Sequence, residues 1–149
     1  MDETYIKVKG VWHYLYRAVD KEGNTIDFML SKKRDAKAAK KFFKKSIVFS
    51  GTPIKINMDK SGSNKAGVEA INIELCEKIE IRQVKYLNNI IEQDHRFIKK
   101  ITNPMMGFKS FKSASATIKG IELHHMLKKN QNSNAKNETI FEQFYALAA

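Results

Sequence analysis

The first thirty residues alternate in polarity with a period of two, and from Asp35 onward the period lengthens to that of a helix. This change of period marks where strands give way to helices. Thr4 to Val8 reads as a strand, with Ile6 and Val8 on one face and Tyr5 and Lys7 on the other. Val11 to Val19 is a second strand, rich in aromatic and β-branched residues. Its Trp12, Tyr14 and Tyr16 share one face, which reads as core or as a half-buried sheet surface. Asp20 to Asn24 has turn chemistry, and Thr25 to Leu30 is a third strand. Strands joined by short glycine-containing links form an antiparallel meander.

Asp35 to Ser50 reads as a helix with Ala36, Ala39, Phe43 and Ile47 on one face, and Gly51-Thr52-Pro53 ends it. Ile54 to Met58 is short and apolar, as expected of a buried parallel strand, and leads into Asp59. A loop through Asn64, a helix to Leu75 and a strand from Ile79 to Val84 follow. Leu87, Ile90, Ile91, Phe97, Ile98 and Ile101 then mark an amphipathic helix, with Asn88 or Asn89 as N-cap. Asn103-Pro104 breaks the chain, and Ser113 to Lys129 is another long helix. Gln131 to Asn137 is polar, and Glu138 to Leu147 is a terminal helix. Antiparallel strands followed by β-α-β units predict an α/β fold: a mixed five-stranded sheet flanked by helices.

The charge balance narrows the partners. Across 149 residues, 27 Lys and Arg face 16 Asp and Glu, a net charge of +11. This favours a polyanion, nucleic acid before an anionic membrane. No apolar run approaches the ~18 residues that span a bilayer, and no signal peptide opens the chain. The lone Cys76 excludes an internal disulfide and a multi-cysteine zinc site, which suits a reducing cytoplasm. His124 and His125 lack the neighbours of a zinc site. The chain has no P-loop, dinucleotide fingerprint or Gly-x-Ser-x-Gly elbow. The lysines from Lys32 to Lys45 read equally as phosphate contacts or as a solvated helix face.

Three ordered blocks carry a family likeness. Tyr86, Asn88, Asn89, Glu92, Gln93, Asp94, His95, Arg96 and Lys99 resemble the glutamate segment of bacterial insertion-sequence transposases of the aspartate-aspartate-glutamate (DDE) type. Met1 to Gly10, running on through Trp12 to Asp20, resembles that family's first-aspartate strand and hairpin. Gly107 to Ser110 and Thr117 to Glu122 resemble its downstream helix region. The likeness extends to about Gln131, so a ribonuclease H-like catalytic core is expected over 1–131. A polar linker and C-terminal helix are expected over 132–149.

The resemblance implies a site and a chemistry. Asp2, Asp59 and Glu92 would be the catalytic carboxylates and would hold Mg2+ or Mn2+. Asp59 lies just after a predicted strand, at the carboxyl edge where open α/β sheets place their sites. Thirty-two residues separate it from Glu92, a couple fewer than is usual in the family. Lys99 follows Glu92 with the family's spacing and on the same helix face, so it would contact DNA, with Arg96 and Lys85 as further contacts. Glu3 would face away from Asp2 on its strand. Asp94 reads as a surface or salt-bridge residue, and His95 as a proton carrier, a phosphate contact or a helix-surface histidine.

The implied function is DNA cleavage and strand transfer at transposon ends, by a homo-oligomer in the bacterial cytoplasm. Family members carry a helix-turn-helix region ahead of this domain; this chain begins at the first aspartate and is expected to be part of such a protein or the product of a truncated gene. Two alternatives stay open: an inactive remnant that binds DNA or a partner, and a ribonuclease H-type nuclease. The charge alone generates one test. Duplex DNA should bind with little sequence preference and lose affinity steeply as salt rises, because phosphate contacts release counterions. Sequence-selective, salt-insensitive binding in a mobility-shift assay would contradict this.

Overall fold

Strands β1 (Asp2–Val8), β2 (Val11–Val19) and β3 (Thr25–Ser31) form the antiparallel sheet that the alternation predicts, in the order β1-β2-β3. The structure is a computed structural model and describes residues 1–76, 78–135 and 137–148. Lys9 and Gly10 close the first hairpin with φ of 49° and 77°, the doubly left-handed turn that matches strand twist. The Asp20 carboxylate shapes the second by accepting from the backbone N–H groups of Glu22 and Asn24, at 2.9 and 2.8 Å.

Helix α1 (Ala36–Ser50) starts at Asp35, whose side chain accepts from the Ala38 N–H at 2.8 Å. Strand β4 (Lys55–Asn57), helix α2 (Gly62–Leu75) and strand β5 (Glu80–Arg82) follow. The two short strands pair in parallel, Ile56 opposite Ile81. A 3-10 turn (Lys85–Asn88) leads into α3 (Asn89–Thr102), and α4 (Phe111–Lys128) and α5 (Ile140–Ala148) complete the order. Among the described residues, no helix is long and apolar enough to cross a membrane.

The α/β class and strand order agree with the sequence reading, with local differences. The five strands fall into two hydrogen-bonded sets, three antiparallel and two parallel, rather than one continuous ladder. Among the described residues, one hydrogen bond links β4 to the start of β1, from the Met1 amino nitrogen to the Asn57 carbonyl at 2.6 Å; β4 and β5 are only three residues long. Ile54, expected in a buried strand, lies before β4 and is exposed. Asn88 occupies the N-cap position of α3 but its side chain makes no capping bond; the preceding 3-10 turn supplies the entry instead. Helix α4 starts two residues early because Ser110 and Ser113 form a reciprocal capping box. Within the expected linker and terminal helix, positions 136 and 149 lie outside the described residues.

Both sheet faces are covered. On one, Tyr16 packs with Ala39, Phe42, Phe43, Met58, Val68 and Ile71 from α1, α2 and the end of β4. A Cβ at Gly67 would lie 2.8 Å from that of Ala39, so α1 and α2 pack too closely there for a side chain. On the other face, Ile6, Val8 and Leu15 meet Ile98, Ala114, Ile118 and Ile121 from α3 and α4.

One charged cluster interrupts the second core. Arg17 of β2 and Glu122 of α4 are both fully buried. The Arg17 Nε donates to Glu122 at 2.6 Å, and an Arg17 terminal nitrogen donates to Glu122 at 2.9 Å and to Asp94 at 2.6 Å. Asp94 also meets His125 Nε2 at 2.7 Å and Lys129 Nζ at 2.6 Å. It is therefore the hub of a buried network joining β2, α3 and α4. Its neighbours hold its carboxyl well below the usual range, against the effect of burial. Arg17→Met would strand the buried Glu122 carboxylate and leave Asp94 with only His125 and Lys129. The expected loss is about 3–5 kcal/mol of folding stability in a denaturant melt. A loss below about 1 kcal/mol, the scale of an exposed pair, would contradict this role.

Candidate active site

Met58 is fully buried and pins the end of β4, so Asp59 emerges next to the start of β1. The bond from Met1 to Asn57 holds the two segments side by side. One carboxylate oxygen from each of Asp2, Glu3 and Asp59 lies within 4.8 Å of the other two. Asp2 belongs to β1 and sits opposite Arg17 in register.

Glu3 is the member the sequence reading missed. It does alternate away from Asp2, but its side chain is held: Oε1 accepts from Arg34 Nε at 2.9 Å and Oε2 from Asn64 Nδ2 at 2.8 Å. Arg34 also reaches Asp59 Oδ2 at 3.4 Å. Asp59 Oδ1 accepts from the Ser61 N–H at 3.1 Å, and its carbonyl accepts from Gln83 Nε2 at 3.1 Å. Glu3 thus has both oxygens occupied. Its partners are 31 and 61 residues away, so no local sequence pattern marks it.

The carboxylates repel one another. Burial pushes the Asp2 carboxyl up to about 6; the Glu3 backbone N–H opposes the rise, and the Glu3 and Asp59 charges add to it.

Helix α3 covers Asp2. His95, expected at the helix surface or as a proton carrier, is buried, with Nδ1 3.9 Å from Asp2 Oδ2. Burial first, then the charges of Arg17 and Lys99, hold the imidazole down to about 3. It is neutral near pH 7, so its contact with Asp2 is not an ion pair. Glu92 lies three residues before His95 and Lys99 four after, on the same helix face. Glu92 is exposed on the first turn of α3, outside the three-carboxylate cluster. Lys85, Arg96 and Lys99 are exposed, and none is ion-paired among the described residues.

An α/β domain with acidic residues gathered where β1 and β4 meet, under a helix bearing a further glutamate, has the architecture of a DDE catalytic domain. The family model DDE_Tnp_IS240, a DDE domain, matches residues 1–131, and the chain belongs to this family of insertion-sequence transposases. It is 43% identical over 135 residues to the transposase for insertion sequence-like element IS431mec of Staphylococcus aureus strain Mu50. The same identity and length relate it to the Staphylococcus aureus transposase for element IS257 in transposon Tn4003. Each match covers 89% of this chain and 59% of the relative, so the chain spans a little over half the length of these proteins. The fold is that of the HTLV-2 integrase catalytic core domain, a structure determined in complex with magnesium. The TM-score is 0.62 at 18% identity, covering 94% of this chain and 89% of the other. The architecture is therefore ribonuclease H-like.

The raised carboxyl of Asp2 has a signed consequence. An acid with a higher pKa folded than unfolded favours folding fully below the unfolded value, about 3.9, and loses that contribution as pH rises to the folded value. Asp2→Asn should therefore match the parent near pH 3.5 and gain an advantage that grows to about 3 kcal/mol and is nearly complete by about pH 7. Denaturant melts across this range test it. An Asp2→Asn chain less stable than the parent at pH 8 would contradict it.

Proposed function

We propose that this domain cuts DNA at transposon ends by metal-assisted hydrolysis and joins the freed 3′ hydroxyl to target DNA. The observation that supports this reading is the meeting of Asp2 and Asp59, with α3, the helix that bears Glu92, packed on Asp2 through His95, within the region matched by the DDE family. Asp2, Asp59 and Glu92 hold Mg2+ or Mn2+ in this reading. Hard carboxylate oxygens suit these ions, and the mutual repulsion that raises Asp2 is what a cation would relieve. When bound, a divalent pair activates the attacking hydroxyl and stabilises the leaving oxyanion.

The other residues hold the geometry. Glu3, fixed by Arg34 and Asn64, orients Asp59 through the shared guanidinium. Neutral His95 closes the space beside Asp2. Lys99, with Arg96 and Lys85, contacts phosphates. The catalytic core spans 1–131, with 132–149 a linker and helix. The active assembly is a homo-oligomer working on DNA in the bacterial cytoplasm.

Nicking of supercoiled plasmid in Mn2+ tests the proposal, together with thermal shifts in Mn2+, Mg2+ and a sodium chloride control. The parent should nick and should melt higher with either divalent ion, by mass action. Asp59→Asn and Glu92→Gln should lose nicking and most of the shift while folding normally in metal-free buffer. Equal shifts in parent and both variants would remove these residues as ligands. A parent that neither nicks nor responds to metal would overturn the activity.

A further inference from the structure

The register of β1 and β2 carries a row of side chains away from the carboxylates. On one face the rungs are Glu3 with Tyr16, Tyr5 with Tyr14, and Lys7 with Trp12. Tyr16 is core, its ring 5.7 Å from that of Phe42. Tyr14 is half-buried. Beyond it α1 gives no cover: Tyr5 and Trp12 are 51% and 55% exposed. Of the aromatic row Trp12, Tyr14 and Tyr16 that the sequence suggested as core or half-buried, Trp12 is thus a surface residue. The exposed rings hold one another. Tyr5 lies 5.5 Å from Tyr14 and 6.1 Å, edge-on, from Trp12, and Lys7 Nζ stands 5.7 Å from the Trp12 ring centre. Clustered rings left in water mark a binding surface more than isolated ones do.

The surrounding charge has one sign. Lys9 lies in the β1–β2 turn, and Lys33 lies two residues after Ser31, the partner of Tyr14; Lys32 between them turns to the other face, over the Phe111 ring. Lys109 follows Phe108, which exchanges backbone bonds of 2.8 Å with Lys7 and Lys9. All of these lysines, and Lys7, are exposed, and none pairs with a carboxylate among the described residues. No Asp or Glu occurs in 4–19, 28–34 or 103–121. The lysines of α1 differ: Lys40 and Lys44 pair with Glu74, and Lys45 with Asp27.

An unneutralised basic rim calls for a polyanion, and exposed rings call for flat apolar faces. Duplex DNA hides its base faces; an unpaired strand offers both features at once. Same-face positions on a strand are about 7 Å apart, so Tyr5 begins about 7 Å from the Glu3 rung and Trp12 about 14 Å from it. We propose that Tyr5 and Trp12 form a stacking platform for unpaired nucleotides of a DNA strand lying beside the carboxylate site, with Lys7 and its neighbours on the phosphates. This rests on the DNA-processing reading above and adds to it a single-strand subsite.

Trp12 is the only tryptophan in the chain, so its emission reports this surface alone. The probe is oligothymidylate of about 20 nucleotides, compared with a duplex of equal length. Oligothymidylate should quench the emission saturably. Tyr5→Ala and Trp12→Ala should each weaken its binding about tenfold or more, the scale of one lost base stack, with the melt and duplex affinity nearly unchanged. Trp12→Phe, which keeps a ring, should recover most of the affinity. Duplex binding that persists while oligothymidylate leaves emission and variants unaffected would overturn the platform and leave the DNA reading standing. Failure of both probes to bind would overturn both. An emission change that follows protein concentration without DNA would make this face a contact between copies, and the platform would fall.

Discussion

The guanidinium of Arg17 is the point on which both the fold and the site depend. It is buried on β2 directly opposite Asp2 on β1. Removing such a charge from water is costly, and bonded carboxylates offset the cost. Glu122 supplies two contacts from α4 and Asp94 one from α3. The next residue after Asp94 is His95, which rests against Asp2. Consecutive residues of α3 therefore touch the anchor and the functional carboxylate on one rung of the sheet. The rotation of α3, and with it the direction of Glu92 and Lys99, is set by this pairing. An apolar contact would allow the helix to slide; a bonded carboxylate does not.

The carboxylate site has the opposite character. Asp2, Glu3 and Asp59 are brought close enough to repel, and Arg34 offsets part of this from one side by spanning Glu3 and Asp59. Asp2 is left without such a partner, and its carboxyl rises. The domain thus sets two charge clusters side by side on one rung of the sheet: one in which opposite charges pair, and one in which like charges meet. Carboxyls shifted by burial and like charge cluster at sites that work on ligands.

What the sequence revealed and what it concealed follow from the range of the interactions. The strands of the meander were legible because alternation is local, and so were α1 and the amphipathic face of α3. The division of the strands into two sets was not, since it depends on how far three-residue strands can extend a ladder. The bond between Arg17 and Glu122 joins residues 105 apart, and no spacing announces it. Helix geometry makes Asp94 a surface or salt-bridge residue, and the salt bridge is what the structure shows; it makes His95 a proton carrier, a phosphate contact or a surface group, and the residue is buried. Both readings came from helix geometry alone, without the buried arginine opposite. Glu3 was set aside correctly as to strand face, but Arg34 and Asn64 draw it into the carboxylate group. The exposure of Trp12 reflects where α1 stops covering the sheet. The likeness over residues 1–131 supplied Asp2, Asp59 and Glu92 as a set, which periodicity could not have done.

The central claim is that the Arg17 rung delivers α3 so that Glu92 joins Asp2 and Asp59 around a divalent ion. Anomalous diffraction from crystals soaked in Mn2+ tests this most directly. The account requires a manganese peak bonded by the Asp2 and Asp59 carboxylates, with a Glu92 oxygen joining directly or through one water, and with the Arg17 contacts to Asp94 and Glu122 intact. A peak held by Glu3 without Asp2, a peak away from α3, or no peak at saturating Mn2+ would contradict it.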